Sequence, residues 1–126
     1  MWVFLREGFF SAVQSRDPDF LVVRSRKRVH LEQLKREYGI RAKINPFIGD
    51  DYPFRILLHK ESWAQVLVDA TRAIDYTNFK ASLPHADRSI TERVWALLAI
   101  DEKKDGRRGR KRDMISTWGG KATPRR

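Results

Sequence analysis

The sequence predicts an α+β protein: a ferredoxin-like two-layer sandwich, with an antiparallel sheet, two to three helices and a basic C-terminal tail. Three observations carry this reading. From Phe20 to Ile74 the hydrophobic pattern runs strand, helix, strand, strand, helix, five of the six elements of that sandwich. The aromatic N-terminal segment, with Trp2, Phe4, Phe9 and Phe10, can supply the missing edge strand, as in a circular permutation. Finally, charge is split unevenly along the chain. Positions 103–126 hold ten Lys or Arg against two Asp, a net of +8, whereas positions 1–102 hold sixteen against fourteen. The expected organisation is therefore a globular domain over 1–102 and a disordered cationic tail over 103–126.

Each element has its own local reason. Trp2–Leu5 is short, apolar and aromatic, and reads as a strand. Gly8 marks a bulge or bend, after which Phe9–Ser15 continues as a second strand, or 2–15 counts as one bent strand. Asp17-Pro18-Asp19 has turn chemistry, because Pro fixes φ and Asp bonds its own backbone. Phe20-Leu-Val-Val opens a third strand that becomes charged at Arg24, Arg26, Lys27 and Arg28. Leu31, Leu34 and Tyr38 recur at helical spacing and predict a helix over 29–38, with Gly39 placed for a left-handed cap. Ile40, Ala42 and Ile44 alternate with polar residues and predict a strand ended by Pro46. Gly49-Asp50-Asp51 turns the chain into a further alternating strand at Phe54, Ile56 and Leu58.

Ser62 and Gln65 have capping-box spacing ahead of a stripe formed by Trp63, Val66, Leu67, Ala70 and Ile74. A polar-aromatic connector follows, and Leu83-Pro84-His85 reads as irregular. A second capping box, Ser89 with Glu92, opens a helix carrying Ile90, Val94, Leu97 and Leu98.

Composition narrows the functional classes. The chain of 126 residues has no cysteine, so disulfides, thiolate metal sites and cysteine nucleophiles are excluded, and a reducing cytoplasm is the expected compartment. Arg6 and Glu7 interrupt the apolar start, which does not read as a signal peptide. No apolar run approaches the roughly 20 residues of a membrane span. Neither a Walker-type loop, nor GxGxxG, nor GxSxG occurs. The three histidines have no metal spacing; His30 is expected on the charged face of its helix and His59 at a strand end. No cofactor is expected.

A set of motifs runs in order along positions 1–98: Met1-Trp2-x-Phe4, Gly8-Phe-Phe-Ser11, Val23-Arg24-x-Arg26, Asp51-Tyr52-x-x-Arg55, Asp75-Tyr-x-Asn-Phe-Lys80 and Val94-Trp95. In combination they resemble an uncharacterised family of small bacterial proteins. The resemblance implies a bacterial or phage origin and carries no activity with it.

Four groups of residues are candidate sites. The tail run Arg107, Arg108, Arg110, Lys111 and Arg112 is suited to phosphate contact, where each cation releases counterions; Met114, Ile115 and Trp118 beside it are able to stack on a base or dock on a protein. Strand alternation places Arg24 and Arg26 on one sheet face, where Arg55 from a later strand can join them around a phosphate. The competing role for these arginines is solvation, or pairing with Asp17 and Asp19. Asp75, Tyr76, Asn78 and Lys80 can form a polar pocket, or can serve their own connector. Asp50-Asp51 and Asp17/Asp19 are turn carboxylates first and a divalent-cation site second.

The function these patterns predict is non-enzymatic binding of nucleic acid, or of a ribonucleoprotein complex, through the tail and a basic sheet face. Two other classes stay open: a phage-type inhibitor of a host nucleic-acid-binding complex, and a small metal-dependent endoribonuclease.

Overall fold

A computed structural model of the chain describes residues 1–104. The tail residues Arg107, Arg108, Arg110, Lys111 and Arg112, and Met114, Ile115 and Trp118 with them, lie outside the described residues. The fold is α+β. Five strands, β1 (Trp2–Leu5), β2 (Gly8–Gln14), β3 (Phe20–Ser25), β4 (Asn45–Pro46) and β5 (Phe54–His59), form one antiparallel sheet in the order β1-β2-β3-β5-β4. Four helices accompany them: α1 (Arg28–Tyr38), α2 (Lys60–Arg72), α3 (Phe79–Ser82) and α4 (His85–Lys104). The chain divides into two compact units, the first spanning Met1–Ser82 and the second beginning at Leu83.

The first unit is built on one-sided burial. Side chains alternate across a strand, so Phe10 and Ala12 of β2, Val23 of β3, and Ile56 and Leu58 of β5 share a face. Helix α1 covers that face with Leu31 and Leu34, and α2 covers it with Trp63 and Val66. All of these residues are buried.

Local bonds close the corners. Asp17 Oδ1 accepts the Asp19 N–H at 2.9 Å, and the Asp19 carbonyl accepts the Lys60 N–H at 2.9 Å, tying the β2–β3 turn to the start of α2. Gly39 ends α1 at φ 64, where a left-handed residue lets the Ile40 N–H reach the Lys35 carbonyl at 2.9 Å. Burial, and then the Glu7 carboxylate that accepts its hydrogen bond, push the Tyr38 phenol above its ordinary value, so the β1–β2 turn is also tied to the end of α1.

Several expectations change. Of the two readings of 2–15, the second strand holds and the single bent strand does not: the chain reverses at Arg6-Glu7, and β1 pairs antiparallel with β2 through Leu5↔Gly8 and Phe4↔Phe9. Gly8 is therefore no bulge. It takes φ +147, which a side chain rarely allows, and separately a Cβ there would stand 2.2 Å from His30 Cγ. His30 does not sit on the charged face of α1; it is buried, accepts the Phe9 N–H on Nδ1 at 3.3 Å, and packs edge-on to Phe10.

Residues 40–44 carry no strand, since β4 is only Asn45–Pro46. Their alternation reflects packing alone: Ile44 joins the core and Ile40 and Ala42 lie against it, while the ladder to β5 has just two rungs. Neither capping box operates. Helix α2 starts at Lys60, which leaves Ser62 inside it, and Gln65 bonds Asp69 one turn on at 2.8 Å. It ends at Arg72, and Ile74 is exposed. Helix α4 starts at His85 rather than Ser89, because the Pro84 carbonyl accepts the N–H groups of Asp87 and Arg88 at 3.0 Å. Ile90, Trp95, Leu97 and Leu98 along it are exposed.

Two of the three positive-φ glycines, Gly8 and Gly39, separate strain from collision. Gly8→Ala must meet both the unfavourable φ and the His30 ring, and is expected to destabilise by about 2–4 kcal/mol. Gly39→Ala meets open space and should lose about 1 kcal/mol. Urea midpoints of the two variants measure the difference; equal losses would show that the His30 contact is soft.

Candidate nucleic-acid interface

The face that α1 and α2 leave uncovered is set by the same alternation. One rung crosses all five strands there: Trp2 opposite Ser11, Ser11 opposite Arg24, Arg24 opposite Arg55, and Arg55 opposite Asn45. Beside it, towards one end, stand Phe4 and Phe9, whose rings lie 4.6 Å apart. Towards the other end the face is apolar, with Val13 opposite Val22 and Val22 opposite Leu57. Beyond these, Phe20 and His59 stack at 4.1 Å.

The cationic end is held by aromatic rings more than by acids. Tyr52, from the β4–β5 loop, is buried, with its ring 6.4 Å from that of Phe9. Arg24 and Arg26 both lie over the Tyr52 ring, their guanidinium carbons 4.6 and 5.0 Å from its centroid. Such a contact fixes a guanidinium without neutralising it. Arg24 Nη2 also donates to Ser11 Oγ at 2.8 Å, and Arg24 Nε is buried without a partner. Arg55 is held differently. Its Nη2 donates to Asp50 Oδ2 at 2.6 Å, its Nε donates to the Tyr52 carbonyl at 3.3 Å, and its guanidinium carbon lies 4.5 Å from the Phe47 ring centroid.

The structure thus brings Arg24, Arg26 and Arg55 to one end of one sheet face. Arg24 and Arg55 are directly opposed on neighbouring strands, an arrangement in which like charges repel. Asp17 and Asp19 play no part in it: Asp17 is occupied with its own turn. Asp50, half of a proposed carboxylate pair, is the counter-ion of Arg55. Among the described residues no group of three or more His, Asp or Glu is placed to hold a metal ion.

Asp75, Tyr76, Asn78 and Lys80 are spread over local tasks. Asp75 pairs with Arg6, whose guanidinium carbon lies 4.7 Å from the Tyr76 ring centroid, and Tyr76 packs on Phe79 at 5.6 Å. Asn78 Oδ1 accepts the Ala81 N–H at 3.2 Å and so caps the single turn of α3. Lys80 is half-buried on that turn.

Sequence reasoning missed the aromatics of this face: Trp2, Phe4 and Phe9, which pack on one another and on Tyr52, and Tyr52 and Phe47, which hold the arginines. The crowding of aromatics in the first strands was a signal for the first three. Tyr52 and Phe47 lie in a loop, where no periodicity assigns a face.

Comparison with known proteins gave no match to a family model, a curated protein or a solved structure. No described helix is long and apolar enough to cross a membrane.

The opposed arginines make a measurable claim. A double-mutant cycle on Arg24→Gln and Arg55→Gln should return an unfavourable coupling of about 0.5 kcal/mol at low salt. At about 1 M salt it should approach zero. Denaturation midpoints report it, and a favourable coupling would mean that the two guanidiniums stack rather than repel.

Proposed function

We propose that this chain is a non-enzymatic nucleic-acid-binding protein, acting alone or on a ribonucleoprotein complex, with a structured anion site on its sheet and a basic tail. The observation that carries the proposal is the fixing of Arg24 and Arg26 over one buried tyrosine ring, with neither of them in an ion pair among the described residues. A cation placed only to stabilise the fold is normally matched by a carboxylate or left to snorkel into water. These two are held in place with their charge unspent, one strand from a third. An incoming phosphate would supply the charged acceptor that Arg24 and Arg26 lack and would compete with Asp50 for Arg55.

The tail extends the same logic. Its net +8 over positions 103–126 supplies sequence-independent affinity by counterion release. In this division of labour the tail concentrates the protein on a polyanion and the sheet orients it. We also read the fold as a permuted ferredoxin-like sandwich. The pairing of β3 with β5 and of β5 with β4 supports this, as does the position of β2 on the outer side of β3, where that sandwich has its last strand. The resemblance to small bacterial and phage proteins, and a cytoplasmic location, stay part of the proposal.

The test is a salt titration of fluorescence anisotropy on labelled nucleic acid. Engagement of the five cations in 107–112 gives a log–log slope near about −4 on duplex DNA. Replacing those five by Ser should flatten it strongly; replacing Arg24, Arg26 and Arg55 by Gln should flatten it by about 2 and weaken binding at every salt concentration. Failure of the intact chain to bind at low salt would overturn the proposal.

A further inference from the structure

The cationic end of the sheet does not end in cations. In the rung that carries Arg24 and Arg55, the β1 position is Trp2, which is 74% exposed although it is one of the largest apolar side chains in the protein. Its orientation is nevertheless fixed, since its ring meets the ring of Phe9 edge to face at 5.9 Å. An exposed indole braced on a second aromatic is a poor choice for solubility and a good platform for a flat ligand. One strand, β2, lies between it and Arg24, so two spacings of about 4.8 Å put them roughly 10 Å apart. At the opposite border, Phe47 of the β4–β5 loop is 46% exposed beside Arg55. Across the strands the rung therefore runs indole, hydroxyl, cation, cation, amide, with the Phe47 ring in the loop beside Arg55.

Building on the nucleic-acid reading above, we propose that this face binds single-stranded nucleic acid, with the strand running across the β-strands, an unstacked base on Trp2 and backbone phosphates on Arg24 and Arg55. Charge complementarity selects a polyanion, and the rings select among polyanions. A duplex presents phosphates and base edges but keeps its base faces stacked on one another, so it can use the arginines and not Trp2. A single strand can use both. Stacking is tolerant of base identity because every base has a π-face, so the site distinguishes strandedness rather than sequence. Arg26, exposed and seated over Tyr52, lies beside this line, two residues beyond Arg24 along the chain.

The experiment uses the full chain, with labelled oligouridylate of about 12 nucleotides and an RNA duplex of equal length as probes. Anisotropy is followed for the parent, Trp2→Ala, Trp2→Phe and Arg24→Gln, after thermal melts confirm that each variant is folded. Trp2→Ala is expected to weaken the single strand by about fivefold to a hundredfold while changing duplex affinity less than about twofold, with the salt slope unaltered. Trp2→Phe should recover most of the loss. Arg24→Gln should weaken both probes and lower the single-strand slope by about 0.7. Binding of both probes with no loss on Trp2→Ala, or equal losses on both, would overturn the single-strand proposal and leave charge-led binding standing. Binding of neither probe by the parent at low salt would overturn the nucleic-acid reading itself.

Discussion

One-sided burial of the sheet is the constraint on which everything else in this unit rests. Covering one face with α1 and α2 commits alternate residues of every strand to the core and their neighbours to the other face. A slip of one residue between β3 and β5, with β3 held on the core, would bury Arg55 and expose Ile56 and Leu58. The register is therefore held by the apolar set, and the Trp2–Ser11–Arg24–Arg55–Asn45 rung is held with it. Gly8 and His30 act on the same constraint from the far side. The ring packs so closely on the glycine that it alone lies between β2 and α1 at this point, and the Phe9 N–H finds its acceptor there.

The exposed rung works against the energetics of the fold it sits on. Two guanidiniums face each other across neighbouring strands, a buried Nε lacks a partner, and an indole lies open to water. Each feature is mildly unfavourable by itself. All three occur within one rung, and Tyr52 closes over two of the three cations as a fixed support. Local conflict with stability, concentrated at one place on an otherwise consistent fold, is what the proposed ligand site rests on.

Legibility in the sequence followed the range of the interactions involved. Helix α1 and its Gly39 cap were readable because the cap is decided by neighbours in sequence. The reversal at Arg6-Glu7 was not, since neither residue is a turn former and Gly8 drew the eye to the wrong position. What Gly8 answers to is His30, twenty-two positions away in the numbering of the chain. The alternation at 40–44 was real but came from packing on the core rather than from a ladder, and Pro84 hid the true start of α4 behind a capping box that does not operate. For the site, strand parity sufficed to put Arg24 and Arg26 on a common side with Arg55. It could not supply Tyr52, because a loop residue has no parity, nor foresee that Asp75 and Asn78 would be taken up by Arg6 and by the cap of α3.

The central claim is that the sheet face, and not the tail alone, receives the ligand. Side-chain NMR of the full chain, during titration with a single-stranded oligonucleotide, tests this most directly. The indole N–H of Trp2 and the Nε–H signals of Arg24 and Arg55 should shift together, while the indole of Trp63, buried beneath the opposite face, stays where it is. Shifts confined to residues 103–126, with Trp2 and the three arginines unmoved, would contradict the account.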